Sequence, residues 1–211
     1  MFDILDYSIT WQHLFASLAI TLAIIRYGYY IFTIYEGKTK PHAFSWFNWG
    51  LIIGFGAYSQ CLSDFQGPSG LVFALTSFIC LFIAALSLFY GERNITRKDW
   101  VVFLSVLALI PVWKTTQDPL LSLSLLIMID GASYIPTIRK SWHDPYSEPP
   151  TAFILGGIRY FFTIFAVTTT TTASIIYPSS LMLFDLSFAA YLYWRRYVLF
   201  DDGLRKLVQS Q

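Results

Sequence analysis

Seven stretches of about 20 mostly apolar residues follow one another along this chain, at about 11–35, 43–63, 68–90, 100–117, 118–140, 150–172 and 178–198. That pattern constrains the fold more than any other feature. A helix needs about 20 such residues to cross the ~30 Å hydrocarbon core of a bilayer. Backbone groups in hydrocarbon must also be satisfied internally, which a helix achieves within one segment. The chain is 55% hydrophobic and 13% charged over 211 residues, with a mean hydropathy of +0.54. A water-soluble fold of this length could not cover so much apolar surface. Seven spans with short connections leave no room for a soluble domain. The expectation is an all-α integral membrane protein with seven transmembrane helices. The segment MFDILDYSITWQH ahead of the first span holds two Asp and no Lys or Arg, the reverse of the flank of a cleaved signal peptide.

The net charge of +1 says little about partners, but the placement of the charges says more. With the N-terminus outside, the inner segments hold Lys38, Lys40, Arg93, Arg97, Lys98, Arg139, Lys140, Arg195, Arg196, Arg205 and Lys206, and the outer segments hold only Lys114. This asymmetry sets the N-terminus outside and the C-terminus in the cytoplasm, and it requires an odd number of spans. Trp11 and Trp113 fall near the outer interface, and Trp100, Trp142 and Trp194 near the inner one, as an aromatic belt would. Cys61 and Cys80 lie at different depths and read as small packing residues, not a bridge. Asn94-Ile95-Thr96 fits the glycosylation pattern, yet this topology keeps it inside and unmodified. The compact chain and minimal tails point to a bacterial inner membrane.

An internal repeat runs through the chain. A shift of 104 residues lays Tyr30-Ile31-x-Thr33-Ile34 on Tyr134-Ile135-x-Thr137-Ile138, and Pro41 on Pro145. A shift of 110 lays Pro68-Ser69-x-Leu71 on Pro178-Ser179-x-Leu181, and Ser77-Phe78 on Ser187-Phe188. Spans 1–3 and 5–7 therefore read as copies, the second with six more residues between its second and third spans. Three spans per copy would invert the second copy after direct fusion; span 4 restores its orientation. The resulting division is residues 1–91 for the first repeat, 92–117 for an inner loop and linker helix, 118–198 for the second repeat, and 199–211 for a cytosolic tail. Parallel repeats of this kind place a site between the copies, near the midplane.

This 3+1+3 plan resembles the SWEET and PQ-loop superfamily of small membrane transporters. The residues that carry the resemblance are Tyr134-Ile135-Pro136-Thr137-Ile138-Arg139-Lys140-Ser141, which look like the family's Pro-Gln motif and basic turn. The first-copy counterpart is Phe32-Thr33 followed by Gly37-Lys38-Thr39-Lys40. Thr137 stands where the family has Gln, and Phe32 where it has Pro. The resemblance implies two parallel three-helix bundles. It does not transfer a substrate, because the same architecture serves an amino-acid exporter, sugar uniporters and a retrieval receptor.

Four charged residues interrupt the spans: Arg26, Asp130, Arg159 and Asp185. Each lies nine or ten residues from the inner end of its span, roughly 14–15 Å at 1.5 Å per residue. All four thus share one depth. An isolated charge there costs at least roughly 2.5–3.5 kcal/mol, so pairing is expected: Arg26 with its repeat equivalent Asp130, and Arg159 with Asp185, or a shared network of four. Tyr30, Thr33, Tyr134 and Thr137 extend the polar faces at helical spacing, with Ser45, Asn48, Trp49 and Ser59 on span 2. Pro136 removes one helical hydrogen bond and reads as a hinge for an inner gate, or as a static bend. Gly50-x-x-x-Gly54 and Gly156-Gly157 read as close helix packing, Pro111 as a bend in span 4, and Thr168 to Thr172 as the end of span 6. His42 and His143 read as inner-loop residues and His13 as an outer-edge one, all solvated or interfacial.

The functional expectation is a transporter for a small polar solute working by alternating access. Its substrate site comprises Arg26, Tyr30, Asn48, Trp49, Asp130, Tyr134, Arg159 and Asp185, and its hinge is Pro136. The paired charges suit a zwitterion or polar metabolite. Asp130 or Asp185 would take up a transported proton by releasing its Arg partner. The rival is a non-transporting receptor or scaffold in which the same charges form a structural network. No nucleophile has an identifiable base, so an enzyme is not expected. No metal-ligand spacing or phosphate loop calls for a metal or cofactor. The expected partners are membrane lipid and the solute, without nucleic acid; self-association stays open.

Overall fold

The structure is a computed structural model that describes residues 11–63, 68–115, 119–167 and 170–209. It is all-α, with seven helices and no strand among the described residues: α1 Trp11–Tyr35, α2 Ala43–Ser63, α3 Pro68–Tyr90, α4 Arg97–Thr115, α5 Pro119–His143, α6 Pro150–Phe165 and α7 Thr172–Gln209. Three stretches are long and apolar enough to cross a membrane by length and composition: α1, Gly70–Tyr90 of α3 and Ser174–Asp201 of α7. Asp99 and Pro111 interrupt α4, and Asp130, Pro136, Lys140 and His143 interrupt α5.

The first three helices begin and end with their apolar stretches. The sixth does not. α6 stops at Phe165 after 16 residues, about 24 Å of helix, so the expected span 150–172 is too long. The helix stops before the threonine run, whose β-branched hydroxyl residues are weak helix formers and suit helix starts. Thr171 and Ser174 bond reciprocally, Ser174 N–H to Thr171 Oγ1 at 3.1 Å and Thr171 N–H to Ser174 Oγ at 2.8 Å. Thr171 therefore caps the start of α7 and the run does not end span 6; Thr168 and Thr169 lie outside the described residues. α7 then runs for 38 residues through Pro178 to Gln209, so most of the expected tail 199–211 is helix. The side chains of Ser59, Cys61, Trp113, Lys114, Arg205 and Lys206 also lie outside the described residues; Cys80 is a buried free thiol.

Local signals set the ends of α1 and α4. Gly37 has φ of +72°, a conformation that a residue without Cβ adopts at no steric cost. Its N–H bonds Ile34 O and the Lys38 N–H bonds Thr33 O, the Schellman arrangement that closes a helix. At the start of α4, Thr96 and Asp99 form a capping box: Thr96 N–H donates to Asp99 Oδ2 at 2.7 Å, and Asp99 N–H donates to Thr96 Oγ1 at 3.4 Å.

In the packing, α3 lies against α1 and α2, and α7 against α5 and α6; α1 also meets α6, α2 meets α5, and α4 rests on α5 and α2. Small residues permit the closest approaches. A Cβ at Gly50 would lie 2.6 Å from Leu81 Cδ2, and one at Gly54 2.8 Å from Ser77 Oγ, while Ser77 donates to Gly50 O at 2.7 Å. α2 and α3 thus touch backbone to side chain, the packing role expected of this glycine pair. Large apolar residues such as Leu71, Phe78, Leu88 and Phe89 face outward, whereas Arg26, Asp130, Arg159 and Asp185 are all at most 5% exposed. That distribution reverses the one water selects.

Candidate functional site

Arg26 on α1 reaches Asp185 on α7. Nη1 donates to Oδ2 at 2.8 Å and Nη2 to Oδ1 at 3.1 Å, a bidentate fork that matches guanidinium to carboxylate. Gly156 on α6 makes the reach possible. A Cβ there would overlap the Arg26 guanidinium and the Asp185 carboxylate, so the absent side chain is the gap through which the pair meets. Tyr134 OH on α5 donates to Asp185 Oδ1 at 2.8 Å. The Arg26 guanidinium also stands 5.0 Å from the centre of the Tyr27 ring.

The expected pairs are therefore corrected. Arg26 binds Asp185, not Asp130, and Arg159 turns elsewhere: Nη1 donates to Thr76 Oγ1 on α3 at 2.7 Å, and the guanidinium lies 4.0 Å from the Tyr160 ring centre. Arg159 Nε and Nη2 have no hydrogen-bond partner. Equal depth did not decide pairing because each side chain also has a direction around its helix.

Asp130 is left in an unusual position. It is 1% exposed, and its Oδ1 has no hydrogen-bond partner. It lines a cavity of about 20 Å³ together with Arg26, Asp185, Tyr134, Trp49 and Trp46, with Tyr27, Ile53, Cys80, Tyr160 and Leu181 completing the wall. α1, α2, α3, α5, α6 and α7 each contribute to this wall and α4 does not. Its aromatic part is tightly interlocked: Trp49 and Tyr134 at 4.6 Å between ring centres, Trp46 and Trp49 at 5.3 Å. The indole donors are directed elsewhere, Trp49 Nε1 to the Asp130 backbone O at 3.4 Å and Trp46 Nε1 to Tyr30 OH at 3.2 Å.

Of the residues expected at the site, Arg26, Trp49, Asp130, Tyr134 and Asp185 come together around this cavity. Tyr30, Asn48 and Arg159 do not line it. Asn48 is fully buried with both amide atoms unpartnered. Tyr30 belongs to a second cluster toward the loop ends of the helices. Its hydroxyl donates to Glu148 Oε2 at 2.7 Å. Lys140, at the end of α5, pairs with Glu148 Oε1 and donates to Lys40 O, and the Lys40 N–H donates to Ser147 O at 3.1 Å. Thr137 Oγ1 donates to Ser45 Oγ at 2.9 Å across α5 and α2. Pro136, buried in the same turn of α5, leaves that helix continuous. This cluster ties α1, α2 and the loop after α1 to α5 and the loop before α6. Burial pushes the Glu148 carboxyl above the usual carboxylate range, partly offset by Lys140 and Tyr30.

Beside it, Arg139 holds Asp99 with Nε to Oδ1 at 2.9 Å and Nη2 to Oδ2 at 2.7 Å. Burial raises the Asp99 carboxyl, but the bonds from Arg139 and Thr96 outweigh it and hold it below the usual range. His42, expected to be solvated or interfacial, is instead fully buried, with both ring nitrogens unpartnered and Nε2 3.8 Å from Asp99 Oδ2. Burial is the largest influence and pushes its imidazole down to about 4, against the pull of Asp99. His42 is therefore neutral at pH 7. It is buried because it closes the start of α2, where Phe44 stacks on Phe103 of α4 at 4.4 Å.

The residues that the sequence reading left out carry weak signals. Gly156 reads as packing and Lys140 as a marker of the inner side, and nothing in the sequence singles out Glu148 beyond its place immediately before Pro149-Pro150, eight residues after Lys140. No protein-family model, curated protein or solved structure matches the chain.

Proposed function

We propose that this chain is a seven-helix membrane transporter that moves a small polar solute by alternating access, with α4 linking two parallel three-helix bundles. The observation that carries the proposal is Asp130: a buried carboxyl group with an unpartnered oxygen in a small cavity walled by six helices. Such a group is costly unless it binds something. The helix neighbours support the bundle reading. Exchanging α1, α2 and α3 for α5, α6 and α7 turns each neighbour pair among these six helices into another: α1–α3 into α5–α7, α2–α3 into α6–α7, and α1–α6 into α2–α5. In this reading the Tyr30–Glu148–Lys140 cluster is a closed inner gate, Pro136 is its bending point, and a proton taken up at Asp130 couples to transport. The N-terminus then lies outside and the C-terminus in the cytoplasm, as the basic residues of the loops favour, in a bacterial inner membrane and in a layout resembling the SWEET and PQ-loop plan.

A cavity of about 20 Å³ holds a water-sized group and no whole metabolite. That size favours a second reading, a receptor or scaffold in which the charges hold one shape. Flux separates the two. Purified protein in liposomes is expected to take up at least one solute from a panel of amino acids, amines, sugars, nucleosides and vitamins, with Asp130→Asn at least about tenfold slower, as loss of a charge-assisted contact implies. Absence of flux across that panel would overturn transport in favour of the receptor.

A further inference from the structure

We infer that the solute is a cation, and that its protonated amine seats against Asp130 inside the aromatic cage; this rests on the cavity being the solute site. Three charged side chains line the cavity: Arg26, Asp130 and Asp185. Two of them cancel, because the fork between Arg26 and Asp185 is complete on both oxygens. Asp185 Oδ1 has a further donor in Tyr134. The chamber is left with one carboxyl group that has no counter-cation, Asp130, and with an oxygen that no wall residue serves.

Beyond the carboxyls and Arg26, the wall carries only neutral polar groups, among them Tyr27 OH and Cys80 Sγ, 3.8 Å apart, and Tyr160 OH. Tyr134 OH is spent on Asp185, Trp46 Nε1 on Tyr30 and Trp49 Nε1 on a backbone carbonyl. Most of the uncharged wall is aromatic, and ring faces attract cations electrostatically. An ammonium group carries donors, no acceptor and a positive charge, and so answers both the orphan oxygen and the rings. A neutral hydroxyl would give an ionised Asp130 no counter-charge. A zwitterion would bring a carboxylate that needs donors. Arg159 Nε and Nη2 are unpartnered, but Arg159 is not part of the wall and is held by Thr76 and the face of Tyr160, so the wall offers a carboxylate no free cation. The volume of about 20 Å³ matches an ammonium head, with the rest of the solute admitted only as the helices part.

The test uses full-length protein in detergent with methylammonium chloride as the probe, against sodium chloride, methanol and glycine at equal concentration and ionic strength. Methylammonium is expected to raise the unfolding temperature above all three controls, with binding at least tenfold weaker in Asp130→Asn. The wild-type comparison stands even if the variant folds poorly. No shift, an equal shift with sodium, methanol or glycine, or an undiminished shift in a folded Asp130→Asn protein overturns the inference. Its failure is distinguishable from failure of transport. Amine binding without flux in liposomes upholds the cation site and removes transport; flux of a neutral or zwitterionic solute with no amine effect does the reverse.

Discussion

At the scale of single residues, burial decides more than residue type. His42 and His143 read alike in the sequence, as inner-loop histidines, yet His42 is fully enclosed and His143 is exposed. The difference is titratable. An ordinary imidazole takes its proton near 6.5 and His42 takes it only at about 4. Between those values the unfolded chain binds a proton that the folded one refuses. The His42 contribution is therefore complete above about pH 6.5 and is lost as pH falls through about 4, a swing of roughly 3 kcal/mol. Glu148 works in the opposite direction. Its raised carboxyl holds a proton in the fold at pH values where the unfolded chain has lost it, so its contribution falls as pH rises above the usual carboxylate range. The wild type minus His42→Phe difference isolates the first effect: unfolding midpoints measured from pH 7 to pH 4 are expected to fall more steeply for the wild type. Asp99, beside His42, keeps its charge through Arg139 and Thr96 and loses its contribution only below the ordinary carboxylate range.

At the scale of elements, two adjacent glycines on α6 do different work. A Cβ at Gly157 would meet the end of the Leu186 side chain, which can rotate away. A Cβ at Gly156 would fall on the Arg26–Asp185 pair, whose two groups are locked to each other and to Tyr134. Gly156→Ala is expected to cost about 1–3 kcal/mol, as overpacking does, and Gly157→Ala clearly less; denaturant unfolding of the purified proteins ranks them. The outlines of α1, α2 and α3 were legible because their apolar runs end at strong stop signals, such as Gly37. The end of α6 was not, because no Gly or Pro marks Phe165 and the threonine run beyond it leads into the cap of α7.

At the scale of the whole molecule, the loop ends of the helices are joined by a buried charge cluster. Lys140 is 4% exposed and Glu148 not at all. Removing one partner leaves the other charge buried alone, at a cost of about 3–5 kcal/mol, while removing both is far milder. Lys140→Met is thus expected to be strongly destabilising, and Lys140→Met with Glu148→Leu to recover most of the loss. A double-mutant cycle on unfolding free energies gives the coupling; additive losses would show that the pair does not hold this face together.

The sequence by itself determined the all-α class, most helix limits, and the choice of Arg26, Asp130, Tyr134 and Asp185 as residues that share a polar centre. Those follow from one-dimensional quantities: run length, hydropathy, and depth counted along a helix. Only the tertiary structure decided that Arg26 reaches Asp185, that Arg159 turns to Thr76, that Tyr30 leaves the centre for Glu148, and that Asp130 keeps an oxygen without a partner. Each of those depends on the direction a side chain takes around its helix and on what the neighbouring helix leaves open, as Gly156 leaves room for the pair. Depth can be counted along the chain; direction and room exist only once the helices are packed.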